Sequence, residues 1–215
     1  MLARLNFPSH NPGAFRQPTM ENLISVIIPN YNGARTIGKC LEAALASRHD
    51  NFEVIVVDDA SQDNSVEIIA QYPCKLVRLA QHGGAALARN TGVRQGRGGI
   101  LFFTDADCLL RDDTLALAVA TLAAEGRDAI VGGSYTVAPY DRRFCSRFQS
   151  VFINFFETKR APAADYIDTH ALAMDADIFR RYRGFVEDLM PILEDVEFSH
   201  RLRRAGLRLV MNPAL

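Results

Sequence analysis

Along the chain, short apolar runs alternate with stretches in which apolar residues recur every three or four positions. Ile24 to Ile28 is one such run, closed by Pro29 and the turn-forming Asn30-Tyr31-Asn32-Gly33. It predicts a buried strand and a loop. From Arg35 to Ser47, the apolar Ile37, Leu41, Ala44 and Leu45 fall at helical spacing. The alternation continues with a strand over Phe52 to Val57, a helix over Asn64 to Gln71 and a strand over Lys75 to Leu79. A helix over Gly84 to Gln95, a strand over Gly99 to Thr104 and an Ala/Leu-rich helix over Asp112 to Glu125 follow. Strands alternating with helices predict an α/β fold, a Rossmann-like, mostly parallel sheet with helices on both faces. Ligands of such sheets bind beyond the carboxyl ends of the strands. Tyr31, Asp59, Asp105 and Asp107 are therefore expected along one edge.

The second half is less regular. It predicts a strand over Ala129 to Val137 interrupted by Gly132-Gly133, a strand over Ile167 to Met174, a helix over Glu194 to Ala205 and a strand from Leu207 to Met211. Between them Phe144, Phe148, Val151, Phe152, Phe155 and Phe156 sit at helical spacing, flanked by Arg142, Arg143, Arg147, Lys159 and Arg160. That pattern suits a helix packed on the sheet as core, and equally one lying on an anionic membrane surface. Residues 1–22, with Pro8, Pro12, Gly13 and Pro18 and little periodicity, read as a loose arm before the domain.

Composition narrows the classes. The 215 residues are 48% hydrophobic and 23% charged, with a net charge of -1, as in an ordinary globular domain. A nucleic-acid binder would show a basic excess. Local basic clusters, at Arg142 and Arg143, at Arg180, Arg181 and Arg183, and at Arg201, Arg203 and Arg204, read as solvated faces. No apolar run approaches the roughly 20 residues of a membrane span, and no signal-peptide core is evident near the N-terminus. Cys40, Cys74, Cys108 and Cys145 form no CxxC pair and read as scattered buried thiols of a cytoplasmic protein.

Four stretches carry chemistry. Asp105 and Asp107 are two carboxylates one residue apart after an apolar strand. A hard divalent cation would compensate them and could bridge to a diphosphate; the alternative is a turn capping the next helix. After the second strand come Asp58 and Asp59, and Asp63 is placed to cap the following helix. Asp59 is left to accept a hydrogen bond from a base or ribose. Gly83-Gly84, leading into a helix that carries Arg89, permits close backbone approach and favours phosphate at the helix N-terminus, with Arg89 paired to phosphate or to Asp59. It is neither a P-loop nor GxGxxG. Glu194-Asp195 opens a later helix, where it either complements the helix dipole or supplies a general base.

Taken in order, Val26-Ile27-Ile28-Pro29-Asn30-Tyr31-Asn32, the Val-Asp-Asp-x-Ser-x-Asp stretch at 57–63, Ala88-Arg89-Asn90-x-Gly92, Asp-x-Asp at 105–107 and Glu194-Asp195 resemble the family 2 inverting glycosyltransferases with a GT-A fold. The resemblance covers about residues 23–212. It implies that residues 23–127 bind a nucleotide-diphosphate sugar, a UDP-sugar first of all, and that 128–215 form the acceptor-binding and catalytic half. It further implies that Pro29 and Tyr31 line the base pocket, Asp59 binds base or ribose, Arg89 organises that pocket and Asp105 faces ribose or sugar. Asp107 would hold Mg²⁺ or Mn²⁺ against the diphosphate, and Asp195 would deprotonate a saccharide or lipid-linked acceptor, as in bacterial-type polysaccharide or glycolipid synthesis. His82 stands where relatives often have Asn. Relatives also carry a further metal-side His and elements beyond position 215, so a piece of a longer protein or a minimal member is expected. The competing readings are a nucleotide-sugar-binding domain without turnover and a nucleotidyltransferase, whose usual basic Gly-rich loop is missing here.

Overall fold

The computed structural model describes residues 22–126, 128–187 and 193–215. The expected arm over residues 1–22 lies, Asn22 apart, outside the described residues. Seven strands form one sheet: β1 (Ile24–Asn30), β2 (Phe52–Asp58), β3 (Lys75–Arg78), β4 (Ile100–Phe103), β5 (Ala129–Gly132), β6 (Leu172–Asp175) and β7 (Arg208–Met211). Their spatial order is β3-β2-β1-β4-β6-β5-β7. Six strands run parallel in two blocks, β3-β2-β1-β4 and β5-β7; β6 lies between them, antiparallel to both β4 and β5.

The helices are α1 (Ile37–Leu45), α2 (Ser65–Ile69), α3 (Gly84–Gln95), α4 (Thr114–Glu125), α5 (Phe144–Thr158), α6 (Ala176–Arg181) and α7 (Glu194–Arg204). On one face of the sheet, Ile27, Ile55, Val57 and Phe103 pack against Ala88 and Val93 of α3, Phe179 of α6, and Phe198 and Leu202 of α7. On the other, Val26, Ile28, Val54 and Phe102 meet Ile37 and Leu41 of α1, Ile69 of α2, and Leu115 and Ala118 of α4. The central strands are apolar on both sides because both faces are covered.

Three expectations are corrected. The strand from Ala129 stops at Gly132, short of Val137. A Cβ at Gly132 would lie 2.6 Å from Ile167, so the bare backbone lets the 167–171 segment cross close to the end of β5. The strand expected over Ile167 to Met174 begins only at Leu172, because Thr169–Ala171 form a 3-10 turn. Helix α6 was absent from the periodicity reading; it is six residues long and starts where the Asp175 carboxylate accepts the Asp177 N–H.

Candidate active site

Strand pairing gathers the polar segments. Asn30 at the end of β1 is in register with Asp58 at the end of β2, and β4 ends beside them before Asp105 and Asp107. Buried Asn30 donates to the Asp58 carboxylate at 2.9 Å. Asn32, held at φ 51°, accepts from Gln62 N–H at 2.8 Å and donates its own N–H to Ser61. Asp63, expected as the helix cap, stands one residue before it, since Asn64 holds the N-cap position of α2; its carboxylate accepts the Ser65 N–H and the Ala34 N–H. The two loops are thus laced into one rigid floor.

Above that floor lies a cavity of about 750 Å³, lined by Pro29, Tyr31, Asp59, His82, Arg89, Asp105 and Asp107 among others. Six of the seven expected site residues therefore share one wall. Asp59 is buried, and it accepts the N–H groups of Gly83 and Gly84, each at 2.8 Å, and His82 Nδ1 at 2.9 Å. The glycine N–H groups expected to meet phosphate are engaged by this carboxylate instead, since it reaches them from β2 and Gly84 takes φ +89° to present its N–H. A carboxylate has about four acceptor positions, so Asp59 retains capacity toward the cavity. His82 also stacks on the half-exposed Tyr31, ring centroids 4.1 Å apart. Together they form an aromatic step that the sequence did not reveal.

Arg89 is not paired with Asp59. Its guanidinium, almost fully buried, bridges Asp105 at 2.6 Å and Glu194 at the start of α7. Its neighbours in the motif have roles of their own. Asn90 donates to Phe185 O and to Glu187, each at 2.8 Å, and accepts the Phe185 N–H. At Gly92 an added Cβ would come within 2.4 Å of Ile27 on β1.

Asp107 is exposed and forms no ion pair among the described residues. Asp105, Asp107 and Cys108 offer donor atoms within 4.8 Å of one another. Burial, together with the charges of Asp105 and Asp107, pushes the Cys108 thiol up to about 12. The donors available at neutral pH are thus carboxylate oxygens, which suit Mg²⁺ or Mn²⁺. The metal expectation fits the residues present.

Asp107 also lines a second, larger cavity of about 1320 Å³ with Ser134, Tyr135, Gln149, Asn154 and His170. Next to His170 stand Glu157 and Asp168, the three offering donor atoms again within 4.8 Å of one another. Burial and a hydrogen bond with Asp168 hold the Glu157 carboxyl far above the usual range, and burial pulls the stacked His170 below the usual imidazole range. Asp195 lines neither cavity. It is half-buried behind the 3-10 turn, where its carboxylate accepts the Val196 N–H at 2.8 Å and faces the Thr169 N–H at 3.4 Å. Burial, then the charges of Asp168 and Glu194, pushes Asp195 up to about 6.

The glycosyl transferase family 2 model matches residues 25–182. The chain belongs to glycosyl transferase family 2. Glycosyltransferase AglE of Haloferax volcanii is 32% identical over 199 residues, covering 86% of this chain and 63% of AglE. Glycosyltransferase GlyG of Streptococcus pneumoniae serotype 4 is 29% identical over 130 residues, 58% of this chain and 43% of GlyG. Among solved structures, the Pyrobaculum calidifontis mannosyltransferase PcManGT, in complex with GDP-Man and Mn²⁺, aligns with a TM-score of 0.71 and 26% identity over 88% of this chain and 54% of its own. Residues 1–349 of S. aureus TarS give the same TM-score at 22% identity, over 90% of this chain and 58% of that one. The shared architecture is the GT-A fold. The chain spans between 43 and 63% of the length of these relatives.

For this family 2 member, the sequence missed Asn30, Ser61 and His82 as parts of the site. Asn30 and Ser61 stand in the quoted motifs, and only register across β1 and β2 shows that they meet. Nothing in sequence spacing signals the Tyr31–His82 stack, whose members are 51 positions apart.

Proposed function

We propose that this chain transfers a sugar from a nucleoside-diphosphate sugar, a UDP-sugar first of all, to an acceptor hydroxyl with inversion, in polysaccharide or glycolipid synthesis. The observation that carries this reading is the Asp105–Arg89–Glu194 chain, buried at Arg89 and Glu194, which ties the end of β4 to the N-terminus of α7 inside a family 2 fold. PcManGT, solved with GDP-Man and Mn²⁺, supports the donor class and the metal.

Residues 23–127 then bind the donor. Its base stacks on Tyr31 beside Pro29, Asp59 accepts a base or ribose hydrogen bond, and Asp105, held by Arg89, meets ribose or sugar. Asp107 would hold Mg²⁺ or Mn²⁺, which when bound supplies Lewis-acid stabilisation to the departing diphosphate. Asp107 borders both cavities, so the diphosphate sits at their junction and the acceptor occupies the larger one, within residues 128–215. Asp195 stands behind the 169–171 turn, whose His170 and Ala171 line the larger cavity, so the acceptor hydroxyl must reach past that turn for Asp195 to take its proton as the oxygen attacks the anomeric carbon and the bond from that carbon to the diphosphate oxygen breaks on the opposite side. A base of pKa about 6 is ionised at neutral pH yet basic enough to assist. The proposed site of the reaction is the cytoplasm or the inner face of the membrane.

Asp195→Asn tests the assignment. Donor binding should persist while turnover falls by about 10²–10⁴-fold, the usual contribution of a general base. A variant that loses donor affinity and keeps its turnover number would move Asp195 to the donor pocket.

A further inference from the structure

Helix α5 is built inside out. Its inward side is polar: Ser150 is buried, Asn154 donates to Tyr135 O at 2.7 Å, and the almost fully buried Glu157 accepts from the Ser134 hydroxyl. Its outward side carries Phe144, Phe148, Val151, Phe152, Phe155 and Phe156, each between 47 and 81% exposed. Half of the large apolar side chains exposed among the described residues stand on this one helix face. The rings stack in a row, 6.3, 5.8 and 4.5 Å apart from Phe144 to Phe156, so the face is one continuous surface. A patch of this kind marks a site of contact rather than ordinary surface.

Charge selects the occupant. Arg142, Arg147 and Lys159 border the face and form no ion pair among the described residues, and the Lys159 ammonium lies 4.2 Å above the Phe156 ring. Arg143 and Arg160 add two more cations, paired with Asp141 and Asp165 at the helix ends. The single carboxylate of α5, Glu157, points inward. A two-fold partner would set these cations against their own copies. An anionic bilayer takes the rings into its acyl boundary and the cations at its headgroups. The larger cavity opens along the same edge, since Val137, Tyr140, Arg142 and Gln149 line it.

We infer that α5 is an interfacial helix that seats the protein on an anionic lipid surface, with the larger cavity taking the head of a lipid-linked acceptor from that surface. The seating stands on the helix itself; the role of the cavity rests on the proposed transfer reaction.

Flotation with phosphatidylglycerol/phosphatidylcholine vesicles tests it, using the full chain. The protein should float with anionic vesicles, remain free with pure phosphatidylcholine, and lose binding as salt rises. Phe148→Ser/Phe155→Ser should lower vesicle binding at least tenfold with an unchanged melting temperature, because the rings touch little of the core. Arg147→Glu/Lys159→Glu, which keeps every ring, should do the same. Both variants should keep the wild-type rate of donor cleavage in solution but lose transfer to a vesicle-embedded acceptor. Failure of donor cleavage in all proteins would overturn the transfer reading and leave the vesicle result to judge the seating. No flotation of the intact chain, or flotation untouched by either variant, would overturn the inference. So would a dimer of the intact chain that becomes monomeric in the Phe variant, because the face would then be an interface between copies.

Discussion

Arg89 stands between Asp105 and Glu194 with its guanidinium almost fully out of water. Removing one partner of a buried pair leaves the others uncompensated, at a cost of about 3–5 kcal/mol. Arg89→Ala is therefore expected to unfold more readily, by about 6–20 °C at roughly 2–4 °C per kcal/mol for a domain of this size. Arg89→Met/Glu194→Gln should recover part of that loss, since it removes charge from both ends; differential scanning calorimetry checks both. Asp195 gives a pH dependence. Its carboxyl is raised to about 6 by burial, then by Asp168 and Glu194, and only its ionised form accepts a proton. The rate should rise with pH through about 6 and then level off. Asp168→Asn removes a like charge, so the rising limb should move to lower pH in a profile of kcat/KM. Much of this was legible from single positions: the motifs placed Tyr31, Asp59, Arg89, Asp105 and Asp107 on one cavity wall as expected. The partners of Arg89 were not legible, because Glu194 lies 105 positions away and only the folded sheet brings α7 to α3.

At the scale of elements, α3 is the close-packed one. A Cβ on Gly92 would sit 2.4 Å from Ile27 Cγ2 and 3.3 Å from Val57 Cγ2. Gly92→Val must push α3 off β1 and β2, and overpacking of this kind costs about 1–3 kcal/mol. The midpoint of urea denaturation should fall accordingly, and donor affinity should fall with it, because the same helix carries Arg89 and Asn90. Regular elements were the readable ones, as continuous apolar runs mark β1, β2 and β4 and helical spacing marks α1. The failures have physical causes. Periodicity marks two faces on α5 but does not say which one turns inward, so the core alternative looked as good as the exposed one that the structure shows. The basic residues expected as solvated faces include Arg201, which instead bonds Glu197, Tyr182 O and Gly184 O and pins α7 to the loop after α6. Of the four cysteines expected to be buried, Cys145 on α5 is exposed.

The whole molecule places two cavities side by side, with Asp107 common to both. The antiparallel β6 makes this arrangement: it joins the β3-β2-β1-β4 block to β5-β7 and follows the 169–171 turn, whose Thr169 N–H faces Asp195 and whose His170 and Ala171 line the larger cavity. No helix among the described residues is long and apolar enough to cross a membrane. The central claim, metal-assisted transfer from a nucleotide sugar, is tested most directly by nucleoside diphosphate release from a panel of UDP- and GDP-sugars, with Mn²⁺ and with chelator, for the intact chain and for Asp107→Ala. The account predicts release from one donor that needs the metal and falls by at least 10²-fold in the variant. Equal release with chelator, or a variant as active as the intact chain with Mn²⁺, would contradict it.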